Sequence, residues 1–509
     1  MEAQRSISIS LVSHTNAGKT TLARTLLGRD IGEVRDAPHV TEFADVFTML
    51  ETPQGESLRL WDTPGFGDSV RLAKRLREST GAMGWFLSEV WDRWRDRPFW
   101  ASQQALRNVR DEADVMLYLA NASEAPEAAG YVQPEMELLA WVGKPVIVLL
   151  NQLGAPREAA LETAELERWR RHLAAFTPVV SVLPLDAFAR CWVQEGALLQ
   201  AIEAALGGER RALMGRLRAA WETQRLASFE ASVLSIAGSL ARLAGAYEVV
   251  PDAGRLRAGL RSVGAALGVG ASEEAPAARA QKKLAERLAD EVQGNTLALI
   301  RLHGLDGQVQ AEILSRLATH FETRLRLDEG KAAVWGGLVT GAIAGLKADI
   351  LSGGLTLGGG LIAGGLLGAL GAAGLARCVN LVRGTEQSWL AWNAESLDAM
   401  VDAALLRYLT VAHFGRGRGE WVEGESPPHW KETTLQALAP HRETLAALWA
   451  SRDARSDDAQ ESARLSAALT LVVRAAVATA LQRLYPGASA LTTRAALGES
   501  AQGEPGPSQ

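Results

Sequence analysis

The chain has 509 residues, too many for one ordinary hydrophobic core, so two or three domains are expected. Apolar residues make up 47% and charged residues 22% of the chain, which excludes a largely disordered protein. The net charge of −6 and isoelectric point near 5.9 argue against general nucleic-acid binding, because such binding needs an excess of Lys and Arg facing phosphates.

The N-terminal residues run directly into a strand and a loop, without the basic start, apolar stretch and small-residue cleavage site of a secretory signal. The cysteines, Cys191 and Cys378, lie far apart and outside any Cys-x-x-Cys or Cys/His cluster. Both are expected to be small buried hydrophobic residues in the reducing cytosol. The sequence therefore predicts a cytoplasmic protein, and an apolar segment near residue 350 leaves association with the inner membrane open.

Residues 1–208 alternate short β-rich runs with helical stretches, which predicts an α/β domain with a mainly parallel six-stranded sheet. The strand candidates are ISISLV, FADVFTML, SLRLWD, VMLYLA, VIVLLN and VVSVLP. The short connector ETPQGE joins the second run to the third, so these two are expected to form an antiparallel hairpin at one edge. The other connections are long enough for crossover helices.

The segment SHTNAGKT, from Ser13 to Thr20, follows the first strand and precedes the helical run TLARTLLG, which is the context of a phosphate-binding P-loop. Lys19 is predicted to contact the β- and γ-phosphates, and the Thr20 hydroxyl to bind Mg²⁺. Ser13 replaces the usual first glycine, and an ordinary strand-to-helix turn is the alternative interpretation. The remaining predicted nucleotide-binding residues of this segment are Asn16, Ala17, Gly18 and Thr21.

The third strand runs into Asp62-Thr63-Pro64-Gly65, which matches the D-x-x-G pattern of GTPase switch loops. Asp62 is predicted to hold Mg²⁺ through water, and the Gly65 N–H to approach the γ-phosphate. Thr41 is the candidate switch threonine that binds Mg²⁺ and senses the γ-phosphate. Lys19, Thr41 and Gly65 are thus the residues predicted to act in hydrolysis. A surface turn is the alternative for DTPG, since Pro and Gly favour turns.

The signal for guanine selectivity is incomplete. The fifth strand ends in Asn151-Gln152-Leu153-Gly154, where a guanine-specific GTPase has Asn-Lys-x-Asp. Asn151 is in place, but Gly154 supplies no carboxylate for the base, so adenine is not excluded. Ser181, in the sixth strand, is the candidate for the weaker base-contacting loop, although a strand end alone has the same pattern.

The phosphate loop, the DTPG switch and the strand order resemble the Era/TrmE-like GTPases of the translation-factor class over residues 1–208. With the helical region that follows, nearly the whole chain looks like a bacterial GTPase group with an uncharacterised C-terminal domain. The resemblance implies GTP and GDP as ligands, Mg²⁺ as cofactor, and slow hydrolysis, because Phe66 stands where many small GTPases have a water-orienting Gln. For Asn16 it leaves two roles open, K⁺ coordination and shaping the loop.

Beyond Gly208 the β-rich runs stop, and apolar residues at three- and four-residue spacing predict helices over 209–331 and 377–490. Residues 332–376 are almost entirely Gly, Ala, Leu, Ile and Val, and glycines recur every fourth residue in each half. This small-x-x-x-small spacing predicts a tightly packed helical hairpin that either dips into a membrane or forms a dry core element of a soluble domain. Residues 491–509 are predicted to be a disordered tail.

Three functions follow from these features. The leading hypothesis is a GTP-dependent switch at the cytosolic face of a membrane, with membrane lipid and an unknown protein effector as partners. A nucleotide-binding scaffold with negligible hydrolysis is the second, because Ser13, Phe66 and Gly154 depart from the full pattern. A P-loop ATPase is the third, but it leaves the DTPG loop without a role.

Overall fold

A computed structural model of the protein describes residues 5–15, 17–27, 45–78, 97–151, 159–185, 191–250, 276–305, 379–383, 388–413, 428–453 and 459–498. Asn16, Thr41, Gly154 and the predicted hairpin 332–376 lie outside these ranges, so the proposals that involve them stay predictions.

The N-terminal domain contains a six-stranded sheet with the strand order β2-β3-β1-β4-β5-β6. Its strands are β1 (Ser6–Ser13), β2 (Asp45–Glu51), β3 (Ser57–Asp62), β4 (Val115–Asn121), β5 (Val146–Asn151) and β6 (Val179–Pro184). Neighbouring strands are parallel except β2 and β3, which form an antiparallel hairpin at one edge. The six predicted strands and the hairpin are therefore confirmed.

Helices cover both faces of this sheet, which explains why its central strands are continuous hydrophobic runs. Every residue of β5 is buried, and so are all of β4 except its last. The edge strand β2 has no buried residue. The helices of this domain are α1 (Lys19–Leu27), α2 (Ser69–Glu78), α3 (Arg97–Glu112), α4 (Val132–Val142), α5 (Ala159–Leu173) and α6 (Trp192–Ala205).

The C-terminal region is mainly helical, as predicted. Its helices are α7 (Gly208–Gly245), α8 (Pro276–Leu302), α9 (Ala394–Ala412), α10 (Pro428–Leu438), α11 (Arg442–Ser451), α12 (Ala459–Leu484) and α13 (Ser489–Leu497). The prediction of helix throughout 209–331 and 377–490 is wrong at three short strands, β7 (Tyr247–Val250), β8 (Val379–Arg383) and β9 (Ser388–Trp392), which form an antiparallel sheet with the order β7-β9-β8. Runs of four or five residues are too short to show a helical or strand period, and β7 pairs with a strand far along the chain.

The prediction of a disordered tail over 491–509 is wrong for its first residues, because α13 extends the helical region to Leu497. Leu491 and Ala495 are one helical turn apart and both are buried, and α13 packs against α12. The helix ends where Gly498 adopts a left-handed backbone, with φ of 70°.

Helix α7 joins the two parts of the molecule. Its 38 residues correspond to about 57 Å of helix at 1.5 Å per residue. Near its start, Arg210 donates a hydrogen bond to the Ser6 carbonyl, and the Arg216 guanidinium binds the Glu56 carboxylate in the turn of the β2–β3 hairpin at 2.7 Å. One face of its C-terminal half is buried against the other helices, and one continuous apolar core extends from β1 into α12. The hairpin that leads to the DTPG loop is therefore attached directly to the helical region.

Two of the described helices, α7 and α12, are long and apolar enough to cross a membrane by length and composition. In each, 56% of the most apolar window is buried inside the protein, and the two helices pack against each other. Core helices of soluble proteins pass the same test, so this finding is only weak support for membrane association.

Two histidines lie in the helical core, where His413 is buried and His303 is partly buried. His303 and His413 each have an Nε2 atom without a hydrogen-bond partner among the residues that the structure describes, while His413 Nδ1 lies 2.6 Å from the Leu409 carbonyl oxygen. The pKa of each imidazole is lowered to about 4, in both cases mainly by burial, and for His303 also by the nearby Arg225 guanidinium and by His413. Both are therefore neutral in the folded protein at neutral pH.

This burial predicts a loss of stability in mild acid. Between pH 6.5 and about 4 the unfolded chain binds protons on these histidines and the folded chain does not, so the free energy of unfolding falls as the pH falls. The slope should reach about 1.4 kcal/mol per pH unit for each histidine. Urea unfolding of the wild type and of the His303→Gln/His413→Gln double variant measures it. The double variant should show a flatter pH dependence, and an equal slope in both proteins would contradict the assignment.

Candidate nucleotide-binding site

The carboxyl ends of three strands bring the predicted site residues to one edge of the sheet. β1 ends at Ser13, β3 at Asp62 and β5 at Asn151, and α1 begins at Lys19 directly after the phosphate loop. In the parallel register of β1 and β3, Leu11 lies opposite Asp62. This edge is where open α/β sheets bind ligands, and the α1 N-terminus supplies backbone N–H groups for phosphate.

Asn151 ties the end of β5 to the phosphate loop. Its Nδ2 donates a hydrogen bond of 2.8 Å to the Ala17 carbonyl, and the side chain is fully buried. The next residue, Gly18, has φ of 89°, and a Cβ placed there would lie 2.7 Å from the same Nδ2. Glycine is thus required at position 18 both by its backbone conformation and by the approach of Asn151.

Lys19 and Asp62 are oppositely charged and both nearly excluded from solvent, with exposed fractions of 8% and 4%. Lys19 Nζ donates a hydrogen bond of 3.0 Å to Ser13 Oγ. Burial lowers the pKa of Lys19, and the carboxylates of Asp62 and Glu135 act in the opposite direction. Burial likewise raises the pKa of Asp62, opposed by the Lys19 ammonium and by the Thr20 hydrogen bond. Anionic phosphate beside Lys19 would therefore stabilise its charged form.

Thr20 and Asp62 fit the Mg²⁺ that the resemblance implies. Thr20 Oγ1 donates a hydrogen bond of 2.8 Å to Asp62 Oδ2. The other carboxylate oxygen, Oδ1, is buried and has no hydrogen-bond partner in the described part of the chain. Such an acceptor beside a hydroxyl suits a hard cation, and Mg²⁺ at phosphates takes only one or two protein oxygens, with the remainder from phosphate and water.

The DTPG loop lies directly on the phosphate loop. The Thr63 hydroxyl donates to the Leu11 carbonyl, and the Phe66 N–H donates to the Ser13 carbonyl at 2.9 Å. Gly65 is so close that a Cβ added to it would lie 3.0 Å from Lys19 Nζ and 3.0 Å from the Thr15 Cα. The Phe66 side chain is fully buried in an apolar cluster, so it offers no polar group to a water molecule at the phosphates.

One of the predicted residues, Ser181, is not brought to the edge of the sheet where the others lie. Ser181 lies within β6 opposite Ile147, whereas Asn151 is the last residue of β5, so the assignment of Ser181 to the base-contacting loop is wrong. The four-residue offset corresponds to about 13 Å along the strand. The Thr21 side chain is buried in the first turn of α1. Ser13, Ala17, Gly18, Lys19, Thr20, Asp62, Gly65 and Asn151 are brought together as predicted.

A second polar cluster behind the phosphate loop was missed in the sequence. His14 Nδ1 lies 2.8 Å from Glu135 Oε1, and the Tyr118 hydroxyl donates to Glu135 Oε2 at 2.7 Å. The His14 ring stacks on that of Tyr131, with centroids 4.6 Å apart and planes inclined by 21°. His14 is more than a hundred positions from the other residues of this cluster in the sequence. One signal was present: Glu135 falls at helical spacing with the buried Val132 and Leu139 of α4.

The fold and the site together define a P-loop GTPase domain of the Era-like class. Residues 8–152 match the family described as 50S ribosome-binding GTPase, and residues 170–473 match the Domain of unknown function (DUF3482). Because the second match extends over more than half of the chain, this protein belongs to the DUF3482 family, with the GTPase domain preceding the family's helical region.

Over 190 residues the chain is 26% identical to GTPase Era of Heliobacterium modesticaldum, and the alignment covers 37% of this chain and 51% of that protein. The chain thus spans about half the length of this curated relative. Among solved structures, a variant of Era from Aquifex aeolicus bound to GDP and AlF₄⁻ is 19% identical, with 40% of this chain and 58% of that chain covered and a TM-score of 0.29. A chain from the structure of an oligomerised bacterial dynamin pair is 9% identical, with 98% of this chain and 72% of that chain covered and a TM-score of 0.25. Scores this low support no argument about function.

The Asn151 contact predicts a measurable loss of stability. Asn151→Ala leaves the buried Ala17 carbonyl without this donor, which should lower the free energy of unfolding by about 1–3 kcal/mol. Asn121→Ala is the matched control, because Asn121 lies opposite Asn151 at the end of β4 but its side chain bonds to exposed groups of Ser123 and Glu124 in the described contacts. Urea unfolding should show a clearly smaller loss for this control, and equal losses would contradict the role assigned to Asn151.

Proposed function

We propose that this protein binds GTP and GDP at the phosphate loop and hydrolyses GTP slowly, and that the Asp62–Gly65 loop changes position with the bound nucleotide. The observation that carries the proposal is the close approach of Gly65 to Lys19.

The gap between Gly65 and Lys19 is tight: a Cβ at Gly65 would lie 3.0 Å from Lys19 Nζ, so a methyl group would fit there only if the Lys19 side chain moved. A γ-phosphate that accepts hydrogen bonds from both the Lys19 ammonium and the Gly65 N–H has to lie between them. A phosphoryl group is larger than a methyl group, so we propose that the Lys19 ammonium and the Gly65 loop move apart when GTP binds. GDP lacks the γ-phosphate and imposes no such movement. The two nucleotides therefore favour different loop positions, which is what a switch requires.

The polar residues of the site have defined parts in this function. Lys19 Nζ exchanges its bond to Ser13 Oγ for phosphate oxygens, and Thr20 with Asp62 would hold Mg²⁺, which neutralises charge on the β- and γ-phosphates. Thr41 is proposed as the threonine that senses the γ-phosphate because the sequence between Leu26 and Phe47 contains no other Ser or Thr. Asn16 is proposed as a ligand of K⁺ on the resemblance alone. Slow turnover is proposed because the buried Phe66 cannot orient water.

The proposed movement of the DTPG loop could reach the helical region through β3. β3 ends at Asp62, and the other end of the same strand joins the hairpin turn in which Glu56 binds Arg216 of α7. Residues of α7 pack against β2 and β3 as well. A displacement of the DTPG loop that shifts β3 would therefore act on a helix that continues into the C-terminal core.

We further propose that the GTP-dependent switch acts at the cytosolic face of a membrane. The support is the composition of residues 332–376, which are apolar and rich in glycine. Basic residues that suit an anionic lipid surface flank the segment on both sides: Arg324, Arg326, Lys331, Arg377 and Arg383.

Nucleotide titration tests the central proposal. Fluorescent GTP and GDP analogues should bind at least roughly tenfold more tightly than the ATP analogue, about 1.4 kcal/mol, because the site belongs to a GTPase fold despite Gly154. Lys19→Ala and Thr20→Ala should abolish tight binding of the GTP analogue, since each removes a charge or metal contact at the phosphates. Phosphate release should be slow, and faster in K⁺ than in Na⁺ if Asn16 holds K⁺.

Equal or tighter binding of ATP would remove the guanine assignment, and wild-type affinity in both variants would remove the phosphate site itself. Equal rates in the two salts would leave Asn16 with only a role in loop shape. Binding of GTP without phosphate release would favour the scaffold function over the switch.

Cell fractionation tests the membrane proposal. The full chain should sediment with membranes and resist washing with high salt, because insertion of the apolar segment does not depend on surface charge. A variant lacking 332–376 should be found in the soluble fraction. Full-length protein that is wholly soluble and does not bind lipid vesicles would assign the segment to a protein core.

A further inference from the structure

We propose that His14 is a positioning residue of the nucleotide site: its hydrogen bond to the buried Glu135 carboxylate holds the phosphate loop in place beneath the DTPG loop, and this sets the preference of the site for the triphosphate. The inference rests on the GTP-binding function proposed above, and it concerns residues that lie outside the phosphate contacts.

The first step concerns Glu135, which anchors the cluster. Its side chain is 0% exposed, and its two oxygens are engaged by His14 Nδ1 at 2.8 Å and by the Tyr118 hydroxyl at 2.7 Å. A buried carboxylate is strongly destabilised when it loses a hydrogen-bond donor. His14 therefore cannot turn away without leaving Oε1 without that donor, and its orientation is fixed by a helix and a strand of the sheet core.

The second step concerns Tyr131, which holds the other side of the imidazole. Tyr131 directly precedes α4, and its ring stacks on that of His14 with the two centroids 4.6 Å apart. His14 itself is 36% exposed, so it is not a core residue that fills space. The hydrogen bond to Glu135 fixes the direction in which the imidazole points, and the stacking on Tyr131 fixes the plane of its ring.

The third step links His14 to the switch loop. Residues His14 and Phe66 form an isolated parallel bridge, and the Phe66 N–H donates to the Ser13 carbonyl at 2.9 Å. Thr15 Oγ1 donates to the Phe66 carbonyl at 3.3 Å, and Lys19 Nζ binds Ser13 Oγ. The short stretch around His14 is therefore the surface on which the DTPG loop closes.

These steps predict an effect that depends on the γ-phosphate. If the anchor is lost, the stretch around His14 can shift, and the positions of Lys19 and Gly65 relative to each other become less defined. GTP needs both groups at its γ-phosphate, whereas GDP needs neither at that place. Loss of the anchor should therefore weaken the GTP complex more than the GDP complex.

Two substitutions separate the hydrogen bond from the stacking. His14→Phe keeps a ring for Tyr131 but removes the donor to Glu135, whereas His14→Asn keeps a donor at the position of Nδ1 and removes the ring. The probes are fluorescent, non-hydrolysable GTP and fluorescent GDP, titrated with Mg²⁺ into the full chain at 25 °C. His14→Phe should weaken GTP-analogue binding at least about tenfold, the range of one hydrogen bond to a charged group, and GDP binding less than about threefold. His14→Asn should stay within about threefold of the wild type for both.

The melting temperature of each nucleotide-free variant shows whether it folds, and a purely structural role would lower that temperature without changing the ratio of the two affinities. Wild-type affinity in His14→Phe, equal losses for both nucleotides, or failure of His14→Asn to restore binding would each overturn the inference. Should His14→Phe not fold, Tyr118→Phe removes the donor from the other Glu135 oxygen without touching the loop, and an unchanged affinity ratio there would overturn it as well.

Lys19→Ala distinguishes this failure from failure of the proposed function. If the wild type binds GTP and Lys19→Ala does not, the phosphate site stands whatever the His14 variants show. If the wild type binds neither nucleotide, both proposals are wrong.

Discussion

The burial of two opposite charges, the Lys19 ammonium and the Asp62 carboxylate, is the constraint around which the nucleotide site is built. Neither charge is well solvated, so burial lowers the pKa of one and raises that of the other. Each needs nearby polar groups, and Ser13 and Thr20 supply hydroxyls to them. All four residues come from the carboxyl ends of strands or the start of α1, which only a parallel sheet places side by side.

The loops of this site are in close contact with each other and, through β3, with the helical region. The DTPG loop lies against the phosphate loop through Phe66 and Gly65, and the strand that precedes it is anchored through Glu56 to Arg216 of α7. Helix α7 belongs to the helical core, and the apolar core of the helical region is continuous with that of the sheet. The nucleotide site and the helical region therefore share one packed core, through which the movement proposed for the DTPG loop would act on the helices.

The sequence predicted the parts of the site that depend on local pattern. The six strands, the β2–β3 hairpin, the phosphate loop and the DTPG loop were found because their residues are contiguous and their signals are local. Ser181 was misassigned because a strand end was inferred from composition, and strand register is a property of pairing. The strands of the small β7-β9-β8 sheet were not predicted either, because they are too short to show a period and pair distant parts of the chain.

What the sequence determined by itself was the chemistry available: a lysine, two hydroxyl residues, a carboxylate and glycines at fixed spacing after buried strands. What only the tertiary structure decided was which groups meet. It brought Asn151 to Ala17, and it placed Glu135 between His14 and Tyr118. The physical reason is that a buried polar group must find its partners across the fold, and those partners come from elements whose neighbours in space are set by sheet order and helix packing.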